Sequence, residues 1–372
     1  MIFLEMNKPK IFAFYLPQFH PIPENDEWWG KGFTEWTNVA KAKPLYWGHE
    51  QPKIPSDLGF YDLRLPESRA AQAELAKRYG IDAFCYYHYW FGDGKVLLNR
   101  PLEDVVALKQ PDFPFFVCWA NHAWTRKSWN TNAQNNEDVC LIDQEYPGIE
   151  DVEKQFNYLL PMFKDERYYK IDGRLCYMIY LAHDVPYIKE YCETFNALAK
   201  KNGLPGFYFF SNVADESELA HPAHQYMDAV LLGPLNSLLG GMLRQRMLKR
   251  LSKILHVPCR VMSYKKASER MLREAHSQNR IVPVITPNWD HSPRSGYNAM
   301  VLHHSTPALW KDLVKRAIEI VSAKPESQQV IMIRAWNEWG EGNYLEPDMK
   351  WGRGYLEALK EAIEEETNQQ VG

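Results

Sequence analysis

A chain of 372 residues, 45% hydrophobic and 24% charged, has the make-up of an ordinary folded protein with material for a sizeable core, which excludes a mainly disordered chain. Its net charge of −4 argues against general nucleic-acid binding, and no run of about 18 apolar residues is present to cross a membrane. The anomaly is aromatic content: 14%, with 13 Trp and 21 Tyr.

The N-terminus has a four-residue apolar start broken by Glu5, too short for a secretory signal. None of the six cysteines forms a CxxC pair. Cys85, Cys118 and Cys176 sit in apolar runs, where a free thiol behaves as a small hydrophobe. A reduced, cytoplasmic protein is expected, with peripheral attachment to the inner membrane as a variant of that expectation.

Eight short runs rich in β-branched and aromatic residues follow in chain order: 11–19, 82–90, 113–121, 175–181, 207–212, 228–233, 281–290 and 329–339. Most are continuous rather than alternating, the signature of strands buried on both faces. Helical patterns separate several of them, at 66–79, 152–163, 185–201, 308–322 and 355–366. The first begins with Pro66 and stops at Gly80. Strands alternating with helices imply a parallel sheet, and eight of them predict an α/β fold, a single (β/α)8 TIM barrel with long decorated βα loops. No linker divides the chain, so one domain over 1–372 is expected. A basic helical insertion at about 240–274 carries ten Lys or Arg and two Glu. Its Leu243, Met247, Leu251 and Ile254 form a helical stripe. Either the stripe packs on the barrel beneath a solvated helix, or the segment meets an anionic membrane surface or a phosphorylated ligand.

In such a barrel the reacting groups come from the C-terminal strand ends and the loops after them. That rule selects Tyr15, Gln18 and His20 after the first run, then Tyr87, His88 and Trp90 after the second. It selects Trp119, Asn121 and His122 after the third, Trp289 and Asp290 after the seventh, and Trp336, Asn337, Glu338 and Glu341 after the eighth. Twelve of the 13 Trp lie in such ends or loops, Trp310 being the exception. Flat apolar rings concentrated at one mouth suit the C–H faces of sugars; the alternative is that they fill loop cores. Trp336-Asn337-Glu338-Trp339-Gly340-Glu341-Gly342 is the most pointed segment. Glycosidic cleavage needs two carboxyls, one giving a proton to the leaving oxygen and one acting as nucleophile or base, and separate environments can hold their pKa values apart. His20, His88 and His122 end consecutive runs, but no HxH, HExxH or carboxylate ligand accompanies them, so no metal is expected. P-loop spacing, a GxGxxG turn and Asp-x-Asp are all missing, and no cofactor is expected.

Taken together, Ala13-Phe14-Tyr15-Leu16-Pro17-Gln18-Phe19-His20, Gly32-Phe33-Thr34-Glu35-Trp36, Cys85-Tyr86-Tyr87-His88-Tyr89-Trp90 and the stretch from Trp336 to Pro347 carry a resemblance. The chain resembles the WbsX-type proteins of bacterial surface-polysaccharide loci, which are similar to family-99 glycoside hydrolases, the endo-α-mannosidases and endo-α-mannanases. The resemblance runs from Ile11 to about Leu356. It implies the barrel, retention of anomeric configuration, and attack by the sugar's own 2-hydroxyl. By position, Glu338 matches the carboxylate that deprotonates that hydroxyl, and Glu341 the general acid and then base. The substrate contacts expected are Tyr15, Gln18, His20, Trp36, Tyr87, His88, Trp90, Trp119, Asn121, His122, Trp289, Asp290, Trp336 and Asn337. The hydrolases tend to have His where this chain has Gly340, a departure that bears on mannose specificity. An oligosaccharide or polysaccharide is the expected substrate, with cleavage preferred. Two alternatives remain. One is a glycosyltransferase of O-antigen or capsule-type polysaccharide biosynthesis, acting on lipid-linked sugar at a membrane surface. The other is a non-catalytic carbohydrate-binding barrel.

Overall fold

A computed structural model describes residues 8–125 and 139–369. Eight parallel strands run in chain order around a closed barrel: β1 (Lys10–Tyr15), β2 (Ala83–Trp90), β3 (Phe115–Trp119), β4 (Arg174–Ile179), β5 (Phe207–Val213), β6 (Ala229–Leu232), β7 (Ile281–Ile285) and β8 (Val330–Ile333). Pairing of β1 with both β2 and β8 closes the ring, in registers such as Phe14 with Cys85 and Ile11 with Ile331. All eight predicted runs supply a barrel strand.

The runs are continuously apolar because both faces are covered: all eight residues of β2 are buried. The two faces meet different neighbours, and parity along the strand decides which. Phe12 and Phe116 meet inside the barrel, with ring centroids 5.1 Å apart. Tyr15 turns outward, its hydroxyl donating to Gln72 Oε1 at 2.6 Å on helix Pro66–Arg78. Trp119 also faces outward and stacks on Tyr191 of helix Ile188–Lys201, centroids 5.3 Å apart.

Further helices on the barrel are Arg100–Ala107, Ile149–Phe163, Pro307–Ser322 and Gly354–Gln369. Between β5 and β6 the described connection has only two 3-10 turns, Glu216–Ala220 and Pro222–Tyr226.

Three predicted runs extend four or more residues past their strands. β1 ends at Tyr15, and the next backbone groups are taken by a side chain: Leu16 N–H donates to Asn337 Oδ1 at 2.7 Å, while Asn337 Nδ2 donates to Leu16 O at 3.0 Å. β7 ends at Ile285; Trp289–Asp290 pairs instead with Met300–His303, which also pairs with Arg260–Ser263. β8 ends at Ile333, and Asn337–Glu338 forms a small antiparallel ladder with Asn343–Tyr344. Beyond the rim the neighbouring barrel strands diverge, so backbone polar groups find local partners. The basic segment forms helix Met242–Leu255, strand Arg260–Ser263 and helix Tyr264–Met271. Its apolar stripe does not pack on the barrel: Leu243, Met247, Leu251 and Ile254 are all exposed.

Candidate active site

A cleft of about 350 Å³ opens at the C-terminal mouth of the barrel. Glu338 and Glu341 line it together with Gln18, Tyr87, Tyr89, His122, Trp124, Tyr180, Trp289, His291, Arg294 and Arg334. Of the expected residues it thus gathers both glutamates, Gln18, Tyr87, His122 and Trp289. The Glu338 and Glu341 carboxyls act directly on each other's protonation.

Two guanidiniums face this pair. Arg294 lies on the single helical turn Ser292–Ser295. It grips fully buried Glu35 with two bonds of 3.0 Å, Nε to Oε1 and Nη2 to Oε2, and reaches Glu341 Oε1 through Nη1 at 2.5 Å. Bidentate charge-assisted contacts of this kind fix orientation as well as charge. Gly340 makes the grip possible, because the Glu35 carboxylate occupies the space that a Cβ at position 340 would need. Arg334, one residue beyond β8, donates to Tyr180 Oη at 2.7 Å and lies over the Phe14 ring, 5.7 Å from its centroid.

Three carboxyls (Glu35, Glu338, Glu341) against two guanidiniums balance when one proton is held. Burial, then the charge of Glu341, push Glu338 well above the usual carboxylate range. Burial acts upward on Glu341 too, but Arg294 and the nearby His291 outweigh it and hold that carboxyl low. These opposite shifts favour protonated Glu338 beside ionised Glu341, the reverse of the order that the family resemblance requires. Burial lowers the pKa of His122 against the opposing pull of Glu341, which favours the neutral ring.

The remaining expected contacts do not line the cleft. Tyr15, His88, Trp90 and Trp119 have the outward parity. His88 stacks on Tyr158 at 5.5 Å, Trp90 Nε1 donates to Asp151 at 2.9 Å, and Trp119 Nε1 donates to the Trp90 carbonyl at 2.8 Å. His20 is buried away from the cleft, where desolvation lowers its pKa to about 4. Trp36 Nε1 donates to Tyr61 O at 2.8 Å, and its ring packs on Phe19 and Trp339. Asn121 ties the ends of β3 and β4 by exchanging hydrogen bonds with the Leu181 backbone. Trp336 is buried against Phe84, and Asn337 is the clamp on Leu16 already described. Asp290 accepts from Gln51 Nε2 at 2.6 Å and from Ser292 N–H at 3.0 Å, bracing the turn that carries Arg294. Trp36, Trp90, Trp119, Asn121, Asn337 and Asp290 thus spend polar atoms on the fold. The expected tryptophan platform narrows to Trp124 and Trp289, joined by Tyr87, Tyr89 and Tyr180; Trp129 lies outside the described residues.

His20, His88 and His122 do not converge, and among the described residues no group of three or more His, Cys, Asp or Glu is placed to hold a metal ion. Tyr89, Arg294 and Arg334 line the cleft and Glu35 braces it, yet none of the four is among the contacts expected from sequence. Strand parity is the signal for Tyr89, since Tyr87 faces inward and Tyr89 follows it by two. Arg334 interrupts the eighth apolar run just after β8, and Glu35 stands within the Gly32–Trp36 segment. Arg294 had no local signal.

A (β/α)8 barrel whose mouth sets paired carboxyls among aromatic rings is the build of a carbohydrate-active enzyme. The sequence matches the family described as Glycosyltransferase WbsX over residues 11–359, and the chain belongs to that family. It is 33% identical over 356 residues to proteins described as "Uncharacterized protein WxcX" in two strains of Xanthomonas campestris pv. campestris, ATCC 33913 and B100. That match covers 95% of this chain and 49% of theirs, so the chain spans about half the length of these relatives. The fold is similar to the GH99 endo-α-mannosidase from Bacteroides thetaiotaomicron, with TM-score 0.57 and 16% identity over 97% of this chain and 98% of that one. It is also similar to a solved "Glycoside hydrolase-like protein", with TM-score 0.55 and 14% identity over 98% and 96% of the two chains.

Proposed function

We propose that the chain cleaves an α-glycosidic, mannoside-like bond with retention, using Glu338 and Glu341 as a pair and the sugar's own 2-hydroxyl as nucleophile. The observation that carries this reading is a pair of carboxyls in a cleft walled by aromatic rings, buried Glu338 and half-buried Glu341, whose surroundings push their protonation in opposite directions. Glu338 takes the 2-hydroxyl proton, and the 2-oxygen bonds to the anomeric carbon. The glycosidic oxygen leaves with the proton of Glu341. Water then gives a proton to Glu341 and bonds to the anomeric carbon, and the 2-oxygen recovers its proton from Glu338. Without that sugar hydroxyl the shifts favour the proton on the other member of the pair, Glu338. A sugar hydroxyl donating to Glu338 favours its ionised form and shifts the proton to Glu341, with no change in net charge.

The family's description as a glycosyltransferase favours a second reading, in which a sugar hydroxyl replaces water in the closing step and the product is a lengthened chain. A lipid-linked sugar in O-antigen or capsule-type polysaccharide assembly fits that reading.

Mass spectrometry of products separates the two. The protein and its Glu341→Gln variant are incubated with an α-mannosyl fluoride and a panel of surface oligosaccharides, with and without nucleotide sugars. Free reducing sugar supports cleavage; a lengthened oligosaccharide overturns it in favour of transfer. Fluoride leaves without a proton, so Glu341→Gln should still release fluoride in the first step while losing turnover on oligosaccharides. Glu338→Gln should lose both. The opposite pattern would exchange the two roles. Sugar binding with no turnover of any substrate would leave a binding barrel.

A further inference from the structure

We propose that helix Met242–Leu255 is a membrane-docking element that lays its apolar side on an anionic lipid surface, with the catalytic mouth at the same end of the barrel. The helix is held to the protein by its polar side. Ser252, fully buried, accepts from Cys259 N–H at 2.9 Å, and Gln245 Oε1 accepts from Arg260 Nη2 at 3.1 Å. The apolar side is turned to water: Leu243 is 81% exposed and Ile254 64%, with Met247, Leu251 and Leu255 beside them. These are five of the twelve large apolar side chains exposed among the described residues, gathered on one fourteen-residue helix. At a helical period they fall within an arc of roughly 120°. Scattered apolar exposure needs no explanation, but a contiguous patch marks a contact.

Charge identifies the partner. Arg246, Lys249, Arg250 and Lys253 flank the stripe on the same helix, and the helix contains no acidic residue. At its N-terminal end Arg244, Arg270 and Arg273 line an open cleft of about 310 Å³ with Ser237, Leu238 and Leu272. Arg273 is steadied there by Ser237 Oγ at 2.6 Å and by Glu216 at 3.5 Å. An apolar stripe bordered by cations is the pattern of a helix lying in the headgroup plane, and guanidiniums match lipid phosphates. The segment leaving β6 links this face to the reacting groups: Leu235 lines the catalytic cleft, and Ser237 and Leu238 line the arginine cleft. Docking therefore presents the mouth of the barrel to molecules held at the lipid surface, whether the reaction is cleavage or transfer.

Flotation of the full chain with vesicles tests the proposal. One set is phosphatidylcholine alone; the other carries about one-third phosphatidylglycerol. The chain should float with the anionic vesicles and much less with the neutral ones, and raising salt to about 0.5 M should weaken the binding. Met247→Asp with Ile254→Asp, and separately Arg246→Glu with Arg250→Glu, should each reduce binding about tenfold or more. The circular dichroism melt and turnover of soluble sugar should stay unchanged. Equal flotation with both vesicle types, none with either, or wild-type binding by both variants would overturn the proposal. Sedimentation equilibrium showing a dimer that Met247→Asp dissociates would also overturn it, by assigning the face to a second copy of the chain.

Discussion

At the mouth of the barrel, Glu35, Arg294, Glu338, Glu341 and Arg334 are carried into a low-dielectric cleft. On helix Met242–Leu255, five large apolar side chains stand in water while Ser252 and Gln245 face the protein. Charged groups are ordinarily outside and clustered apolar groups inside, so each region reverses the rule. The mouth offsets its reversal internally, through the bidentate Arg294–Glu35 pairing, the Arg294–Glu341 contact and the ring face beneath Arg334. The helix has no internal compensation, so its reversal is explained from outside the molecule. A buried charge set that closes on itself points to chemistry; an apolar set that does not close points to a surface.

Breaking the closed set should give the largest effect. Glu338→Gln should cut turnover of an oligosaccharide by about 10³-fold or more, since the pair loses its proton acceptor; initial-rate assays against unaltered sugar binding check this. Removing the cation comes next. Arg294→Met leaves the buried Glu35 carboxylate without its partner and should cost about 3–5 kcal/mol of folding stability, read from urea denaturation. If stability held, Glu35 would have another partner and the charge count would be wrong.

A quieter test lies behind the cleft. Glu346 accepts from Tyr61 Oη at 2.8 Å and from Gln72 and Trp339 at 2.6 Å, and burial raises its pKa to about 7. The folded state then holds a proton that the unfolded state has released, between the ordinary glutamate value and about 7. Stability should therefore fall as pH rises through that window and level off above it. Glu346→Gln should remove that decline, which amounts to about 3 kcal/mol, in melts measured across the range. The smallest effect belongs to the open set: Met247→Asp should change stability by no more than about 0.5 kcal/mol, because the side chain has no folded-state partner to lose. A larger loss in the same melt would mean the stripe is part of the core.

The barrel was legible in the sequence because strands covered on both faces must be largely apolar, and most of the eight runs show it. The same property hid the site. Where every position of β2 is buried, hydrophobicity does not tell the axis-facing Tyr87 and Tyr89 from the helix-facing His88 and Trp90. Choosing residues by their place at a strand end therefore mixed cleft residues with wall residues. Glu338 and Glu341 were legible because a local motif beyond β8 carries both. Arg294 and Glu35 meet only through the fold, one from the turn after β7 and the other from the first long loop. Asn121, Asn337 and Asp290 were read as sugar contacts because polar residues at strand ends suit either task; here they fasten backbone to backbone or brace a turn.

The bare backbone of Gly340 has a consequence for descent. Any side chain at that position would need the space that holds the Glu35 carboxylate, so the two positions are not free to drift separately. A lineage that gains a residue at 340 must first shorten or redirect the acid at 35, and Arg294 then loses one of its two anchors. Among relatives, the identities at these positions should change together. A glycine opposite a glutamate would mark a mouth assembled like this one, and a bulkier residue at 340 a mouth built on other contacts.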